Sequence, residues 1–401
     1  MMAVLTPLLL ILVFLYFRFF FARAFKSAGV YRNTVAFYIA NTALALAFGT
    51  VLGAPLGLGG IFSLHVMAAA VFVRLINYAV TGGKNVKRAL FANSGFATDR
   101  AGGDTPAATK RKRARSVWDR IYNSGAVPVA VAVVFVVGGL INMNTVVETR
   151  FAVQTDKNIR GQGYTIALIA DVHFGVSVGE KEFNRICDEI SALDADIVAL
   201  CGDIVDENTS KAGMNAVFAA LGGIKSRFGT YYVYGNHDRQ VYTDTPSFTD
   251  AELASTIVEN GITVLRDEAV RINDELVLVG REDASRGADG GRKSVKDILS
   301  GVGEINNDTY VITLDHQPRD YVENAAAGVD LVLSGHTHGG QVFPMNFVFD
   351  ITGVNDAIYG IKEINGTGSK GIVTSGVAGW GFPIKTCAPA EYAVIDITPA
   401  I

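Results

Sequence analysis

Charge is scarce in this chain and unevenly placed. Asp, Glu, Lys and Arg make up 18% of its 401 residues, against roughly 25% in ordinary soluble domains. Acidic residues almost vanish from the first third: residues 1–143 hold 15 Lys/Arg and 3 Asp/Glu, a net of +12, whereas 144–401 hold 20 and 36, a net of −16. Cysteine is sparse too. Cys187, Cys201 and Cys387 form no paired spacing, which excludes a disulfide framework and announces no zinc knuckle. An apolar content of 49% excludes a disordered chain, and the length leaves room for two or three units with cores of their own.

What the first third does contain is long uncharged runs. Met1–Phe17 carries no charge, and neither do the 41 residues Asn33–Val73, broken near the middle by the turn-forming stretch Gly53–Gly60; a further run covers Ile121–Val147. About 20 apolar residues cross the hydrocarbon core of a bilayer, so these runs predict four membrane spans within residues 1–147. A cleavable signal would explain only the first of them. Ten of the basic residues fall in the loop 81–120. Short basic loops stay in the cytoplasm, which places residues 148–401 outside it. Beside a span, such a loop reads as a topology determinant touching anionic lipid, with no nucleic acid as partner. His65 lies within the third span with no Asp or Glu in any span, and is read as structural rather than as a proton relay.

Beyond Glu148 the pattern changes to short apolar runs alternating with helical periodicity. Strands are expected at Tyr164–Ala170, Asp196–Leu200, Tyr231–Tyr234, Glu275–Val279, Tyr310–Leu314, Asp330–Leu333, Gly371–Thr374 and Tyr392–Ile395. Phe183, Ile186, Ile190 and Leu193 recur at helical spacing, and further helices are expected over Lys211–Arg227, Asp250–Asn260 and Pro318–Ala326. Such alternation implies βαβ units and a largely parallel sheet, with Asp283–Lys293 as a loop.

The strand ends carry the chemistry. They read Asp171-Val172-His173, Gly202-Asp203-Ile204-Val205-Asp206, Gly235-Asn236-His237-Asp238, Asp315-His316-Gln317-Pro318 and Gly335-His336-Thr337-His338-Gly339-Gly340-Gln341, and they hold five of the six histidines in the chain. In open α/β sheets the carboxyl ends of strands converge on one crevice. An isolated Asp-x-His or Gly-Asn-His is a weak signal; all five groups at strand ends are a strong one. Imidazoles with carboxylates and one amide suit Mn, Fe, Zn or Co, and the absence of cysteine there argues against structural zinc or an iron–sulfur cluster. The ligand count implies two divalent ions sharing a carboxylate.

In these blocks the sequence resembles the calcineurin-like metallophosphoesterase superfamily, over about residues 150–401. The resemblance implies a four-layer α/β/β/α sandwich following the membrane region. It also implies that Asp171, His173 and His338 bind one metal, that Asp203 bridges, and that Asn236, His316 and His336 complete the second. His237 would then be a catalytic acid at the leaving oxygen, with Asp206 holding its ring. The stretches Leu314–Pro318, Gly335–Gln341 and Ser375–Pro383 look like a branch of transmembrane proteins with a metallophosphoesterase domain. Glu207 stands where the protein phosphatase branch has Arg, which disfavours phosphoproteins, and Arg239 is a candidate for contacting substrate phosphate. The expectation is a multi-pass cell-membrane phosphoesterase, its domain 148–401 outside the cytoplasm. It would hydrolyse a phosphorylated lipid or envelope component by attack of hydroxide bridging the metals. A hydrolase of the UDP-2,3-diacylglucosamine pyrophosphatase type and a non-catalytic metal-binding module are the alternatives.

Overall fold

Most of the described residues in the uncharged runs of the first third are helical. A computed structural model describes residues 14–25, 35–51, 57–92, 124–289, 292–364, 366–382 and 384–400, and the chain divides into the units Met1–Gly138 and Gly139–Ile401. The first unit holds helices over 14–25, Val35–Val51 and Leu58–Ala92, and most of Ala126–Met143. Among the described residues, Leu58–Ile76 and Ala126–Met143 are long and apolar enough to cross a membrane. Val35–Val51, one of the four expected spans, is helical but has 17 residues. The span expected over Met1–Phe17 lies mostly outside the described residues, as does the basic run Lys110–Arg115. Thr81–Ala92, expected as loop, instead extend the long helix. Inside this unit Phe17, Phe20, Ala45, Val66, Ala70 and Ala132 pack together, while Phe72, Leu75 and Val134 stay exposed. Apolar residues both between helices and facing outward suit helices surrounded by lipid. His65 is buried, and its Nδ1 lies 2.8 Å from the Ile61 carbonyl one turn earlier.

The second unit contains two six-stranded sheets, whereas the alternation of strands and helices by itself implied one largely parallel sheet. The first has the order β1 (Val146–Thr155), β12 (Ala390–Pro399), β2 (Tyr164–Ile169), β3 (Ile197–Cys201), β4 (Thr230–Val233), β5 (Thr263–Val264). Only the β12–β2 pair is antiparallel there. The second sheet runs β10 (Gly360–Glu363), β11 (Lys370–Val373), β9 (Leu331–Ser334), β8 (Tyr310–Leu314), β7 (Leu276–Gly280), β6 (Glu268–Arg271). Its two edge strands are antiparallel to their neighbours and the rest are parallel.

Alternation along the strands assigns each face of each sheet. Ile166, Leu168, Ile197 and Ala199 share a core with Leu276, Leu278, Ile312 and Leu331, so these faces of the two sheets pack on each other. The intervening Ala167, Ile169, Val198 and Leu200 turn the other way, onto Phe183, Ile186, Met214, Phe218 and Leu253 of helices Glu180–Ser191, Lys211–Gly222 and Asp250–Glu259. On the second sheet Val277, Val311 and Val332 pack against Ile298, Leu299 and Tyr321 of helices Val295–Ser300 and Tyr321–Ala326. Helix, sheet, sheet and helix are thus stacked by period-two patterning alone. The domain boundary expected at 147/148 falls within β1, and the unit begins earlier, at Gly139.

Candidate metal centre

Every expected ligand follows the carboxyl end of a strand. Asp171 and His173 follow β2, Asp203 follows β3, Asn236 and His237 follow β4, His316 follows β8, and His336 and His338 follow β9. The crevice therefore forms where the strand ends of both sheets meet. Backbone bonds carry the ladders into it, with Asp171 N–H on Gly202 O at 3.0 Å, His173 N–H on Asp203 O at 3.1 Å and Gly335 N–H on His316 O at 3.0 Å.

The side chains gather into two groups: Asp171, His173 and His338 in one, Asp203, His316 and His336 in the other, each with its ligand atoms within 4.8 Å of one another. Asp203 Oδ2 lies 3.1 Å from His316 Nε2 and 4.0 Å from His173 Nε2, so this carboxylate stands between the groups. Asn236 Oδ1 lies 3.0 Å from His336 Nδ1 and 3.3 Å from His316 Nε2. Outer contacts select tautomers. His316 Nδ1 donates to Cys201 O at 2.8 Å and His338 Nδ1 to Ala378 O at 3.2 Å, which directs both Nε2 atoms at the ligand groups; Nε2 of His338 offers its lone pair, while that of His316 bonds to Asp203 and would ligate once its proton is displaced. The backbone is strained to aim these groups: Asp171, His173, Asp203, His336 and His338 all have φ between 41° and 72°. The glycines before them are spatial necessities. A Cβ at Gly235 would collide with the Asp203 carboxylate, and one at Gly335 would lie 2.5 Å from Asp171 Oδ2.

A cation fits this arrangement. His173 is fully buried, its Nδ1 faces Asp206 Oδ2 at 3.3 Å and its Nε2 has no hydrogen-bond partner, which is costly for an imidazole unless a cation takes up the lone pair. Burial, with the neighbouring imidazoles, pushes His336 down to about 4 and His338 well below its usual range, into the neutral form that ligates. Burial pushes the Asp171 carboxyl up to about 6. It acts on Asp203 in the same sense, but the charge and hydrogen bond of His316 hold that carboxylate well below its usual range.

Two expectations change. The ring of His237 is held by Glu207, with Oε2 2.8 Å from Nδ1, and not by Asp206, whose Oδ2 lies 3.3 Å from Nδ1 of His173. Burial lowers the His237 pKa and Glu207 overcomes it, so the net shift is upward. Arg239 is withdrawn from any phosphate. Its guanidinium makes a paired contact with Glu282 at 2.9 and 3.0 Å, reaches Asp250 at 3.1 Å and covers the Tyr234 ring at 3.7 Å.

Three buried charges escaped the sequence reading. Asp238 accepts backbone N–H bonds from Asp203 (2.9 Å), Ile204 (2.9 Å), Val205 (3.2 Å) and Gly235 (2.6 Å), fastening the two loops that carry Asp203 and Asn236. Its place directly after Gly-Asn-His was the available signal. Glu391 accepts from Thr374 Oγ1, Ser375 N–H and Tyr359 OH. Lys385, fully buried, donates to the carbonyls of Ser375, Gly376 and Ala378, the last of which also receives His338. That turn in turn bonds to the segment just after β2 through Val377 N–H on Ala170 O at 3.1 Å and Ala378 N–H on Asp171 O at 2.9 Å. Lys385→Met, which removes the donor from three enclosed carbonyls, is expected to destabilise the protein by roughly 2–4 kcal/mol. Urea unfolding in detergent reads this, and an unchanged midpoint would refute it.

Two mixed sheets that direct carboxylates, imidazoles and an amide from their strand ends into two joined clusters define a dinuclear metal-site protein. Comparison with known proteins gives the family. The calcineurin-like phosphoesterase family matches residues 164–340. An uncharacterized metallophosphoesterase of Aquifex aeolicus is 30% identical over 62% of this chain and 90% of its own length. One of Helicobacter pylori is 31% identical over 58% of this chain and 60% of its own. The bovine transmembrane protein with metallophosphoesterase domain is 29% identical, covering 59% of this chain and 53% of itself. This chain belongs to the calcineurin-like metallophosphoesterases. It spans about 60% of the length of the Helicobacter relative.

Proposed function

We propose that the protein is a membrane-anchored phosphoesterase that hydrolyses a phosphate ester at a two-ion centre, with a phosphorylated lipid or envelope component as substrate. The observation that carries this reading is the position of Asp203, which belongs to one three-residue ligand group and faces His173 of the other, with His237 beside it. Asp171, His173 and His338 would hold one divalent ion and Asn236, His316 and His336 the other, with Asp203 shared. Ions so placed lower the pKa of water toward 7 and neutralise charge on phosphoryl oxygens. The chain's own part is to fix the geometry and to move a proton. His237, kept upright and cationic by Glu207, gives a proton to the departing oxygen from its other ring nitrogen. Trp380 and Tyr242, with ring centroids 4.8 and 5.0 Å from that of His237, flank it and narrow the approach of water.

Anchoring favours substrates held near a bilayer. In this reading residues 1–147 supply four spans, the basic segment 81–120 stays in the cytoplasm, and 148–401 form the phosphoesterase domain outside it; the charge asymmetry of the sequence supports that orientation. The test is metal analysis of the purified full chain together with hydrolysis of bis(p-nitrophenyl) phosphate. About two divalent ions per chain are expected, with activity lost on chelation and restored by Mn or Zn. Hydrolysis indifferent to chelator, or a protein that takes up no ions, rejects the proposal.

A further inference from the structure

Helix Met345–Thr352 follows the His338–Gln341 turn and has no buried residue. From Gln341 to Val354 the only charge is Asp350, yet Phe347 is 57% exposed, Ile351 85% and Val354 57%. An apolar, almost uncharged helix standing off the body of a domain needs a cover. Its attachment points to one. The segment is tied to the loop 384–388, with Thr386 N–H on Gln341 O at 2.7 Å and Phe343 N–H on Thr386 Oγ1 at 2.8 Å. The same loop holds Gly139–Met143, the last turn of the apolar helix Ala126–Met143. Asn142 Nδ2 donates to Lys385 O at 2.9 Å and to Ala388 O at 2.8 Å, and Lys385 N–H donates to Gly139 O at 3.2 Å. Gly139 has no room for a Cβ against Thr386 and Ile384, so the contact is close. The end of a helix able to cross a bilayer and an uncovered apolar helix thus share one short loop.

We propose that Met345–Val354 enters the bilayer interface and seats the metal centre beside lipid headgroups. The claim rests on the membrane-anchored reading above and adds to it a second, peripheral contact. Helices of this kind lie in the interface with apolar side chains among the upper acyl carbons. The ligand His338 precedes the helix by a short tether, so docking the helix would bring the mouth of the site to phosphate height rather than leave it facing open water.

The test uses the full chain in vesicles of equimolar phosphatidylcholine and phosphatidylglycerol, with and without brominated acyl chains. The added indole of Ile351→Trp should be quenched by brominated lipid beyond the wild-type signal of Trp118 and Trp380. Equal quenching of variant and wild type overturns the proposal, as does protection of that indole by a dimer seen on sedimentation, which would assign the face to a second copy. In a second arm, with phosphatidic acid added to these vesicles as a minor component, the double variant Phe347→Asp with Ile351→Asp should hydrolyse that lipid roughly tenfold more slowly, because interfacial affinity falls with each apolar group removed. Its rate on soluble bis(p-nitrophenyl) phosphate should be unchanged. Equal loss on both esters would mean that the helix supports the site instead and would overturn the proposal. A wild type that hydrolyses neither ester rejects the function proposed above, and quenching still decides the place of the helix.

Discussion

Asp203→Asn is expected to abolish hydrolysis of an aryl phosphodiester. The carboxylate stands between His316 and His173, and its other oxygen accepts the His237 backbone N–H at 2.8 Å. Asparagine keeps the shape but turns one of those oxygens into an amide donor, which cannot serve two cations. Losing several kcal/mol of charge stabilisation lowers the rate by at least about a thousandfold. Circular dichroism should be unchanged and metal content should fall. A purified variant with full chelator-sensitive activity would show that the two clusters do not share Asp203.

His237→Ala is expected to behave differently: metal content stays, and turnover falls by about 10²–10⁴-fold, the usual worth of a positioned acid. The loss should grow with the basicity of the leaving group, because p-nitrophenolate departs without a proton and an alkoxide does not. Glu207→Gln should follow the same trend with a smaller loss, since the 2.8 Å contact to Nδ1 supports the cationic ring. Equal losses for good and poor leaving groups would remove His237 from proton transfer. Loss of metal in His237→Ala would make it a ligand.

Much of the centre was legible because ligand residues at strand ends are a local signal: each block joins a hydrophobic run to its Asp, Asn or His. Pairings between blocks were not. Asp206 and Glu207 are neighbours in sequence, and only the turn after β3 decides which of them faces His173 and which faces His237. Arg239 read as a phosphate ligand because its acidic partner Glu282 lies 43 residues away. The two sheets were implied by the family resemblance but not by strand content, since Ile166 and Ala167 look alike until their opposite faces find different cores. The strands that went unread, β1, β5, β6 and β10, are polar or exposed edges, where hydrophobic patterning is weakest.

The place of β1 sets an order of events in biosynthesis. Its partner in the sheet is β12, which emerges about 235 residues later, an interval of roughly 10–50 s at ribosomal speed. Through that time β1 trails as an unmatched ribbon. Glu148 and Arg150, paired at 2.6 Å, give the ribbon the charge that discourages stray strands from joining it. Closure of the first sheet is thereby deferred until β12 has left the ribosome, long after the strands between them.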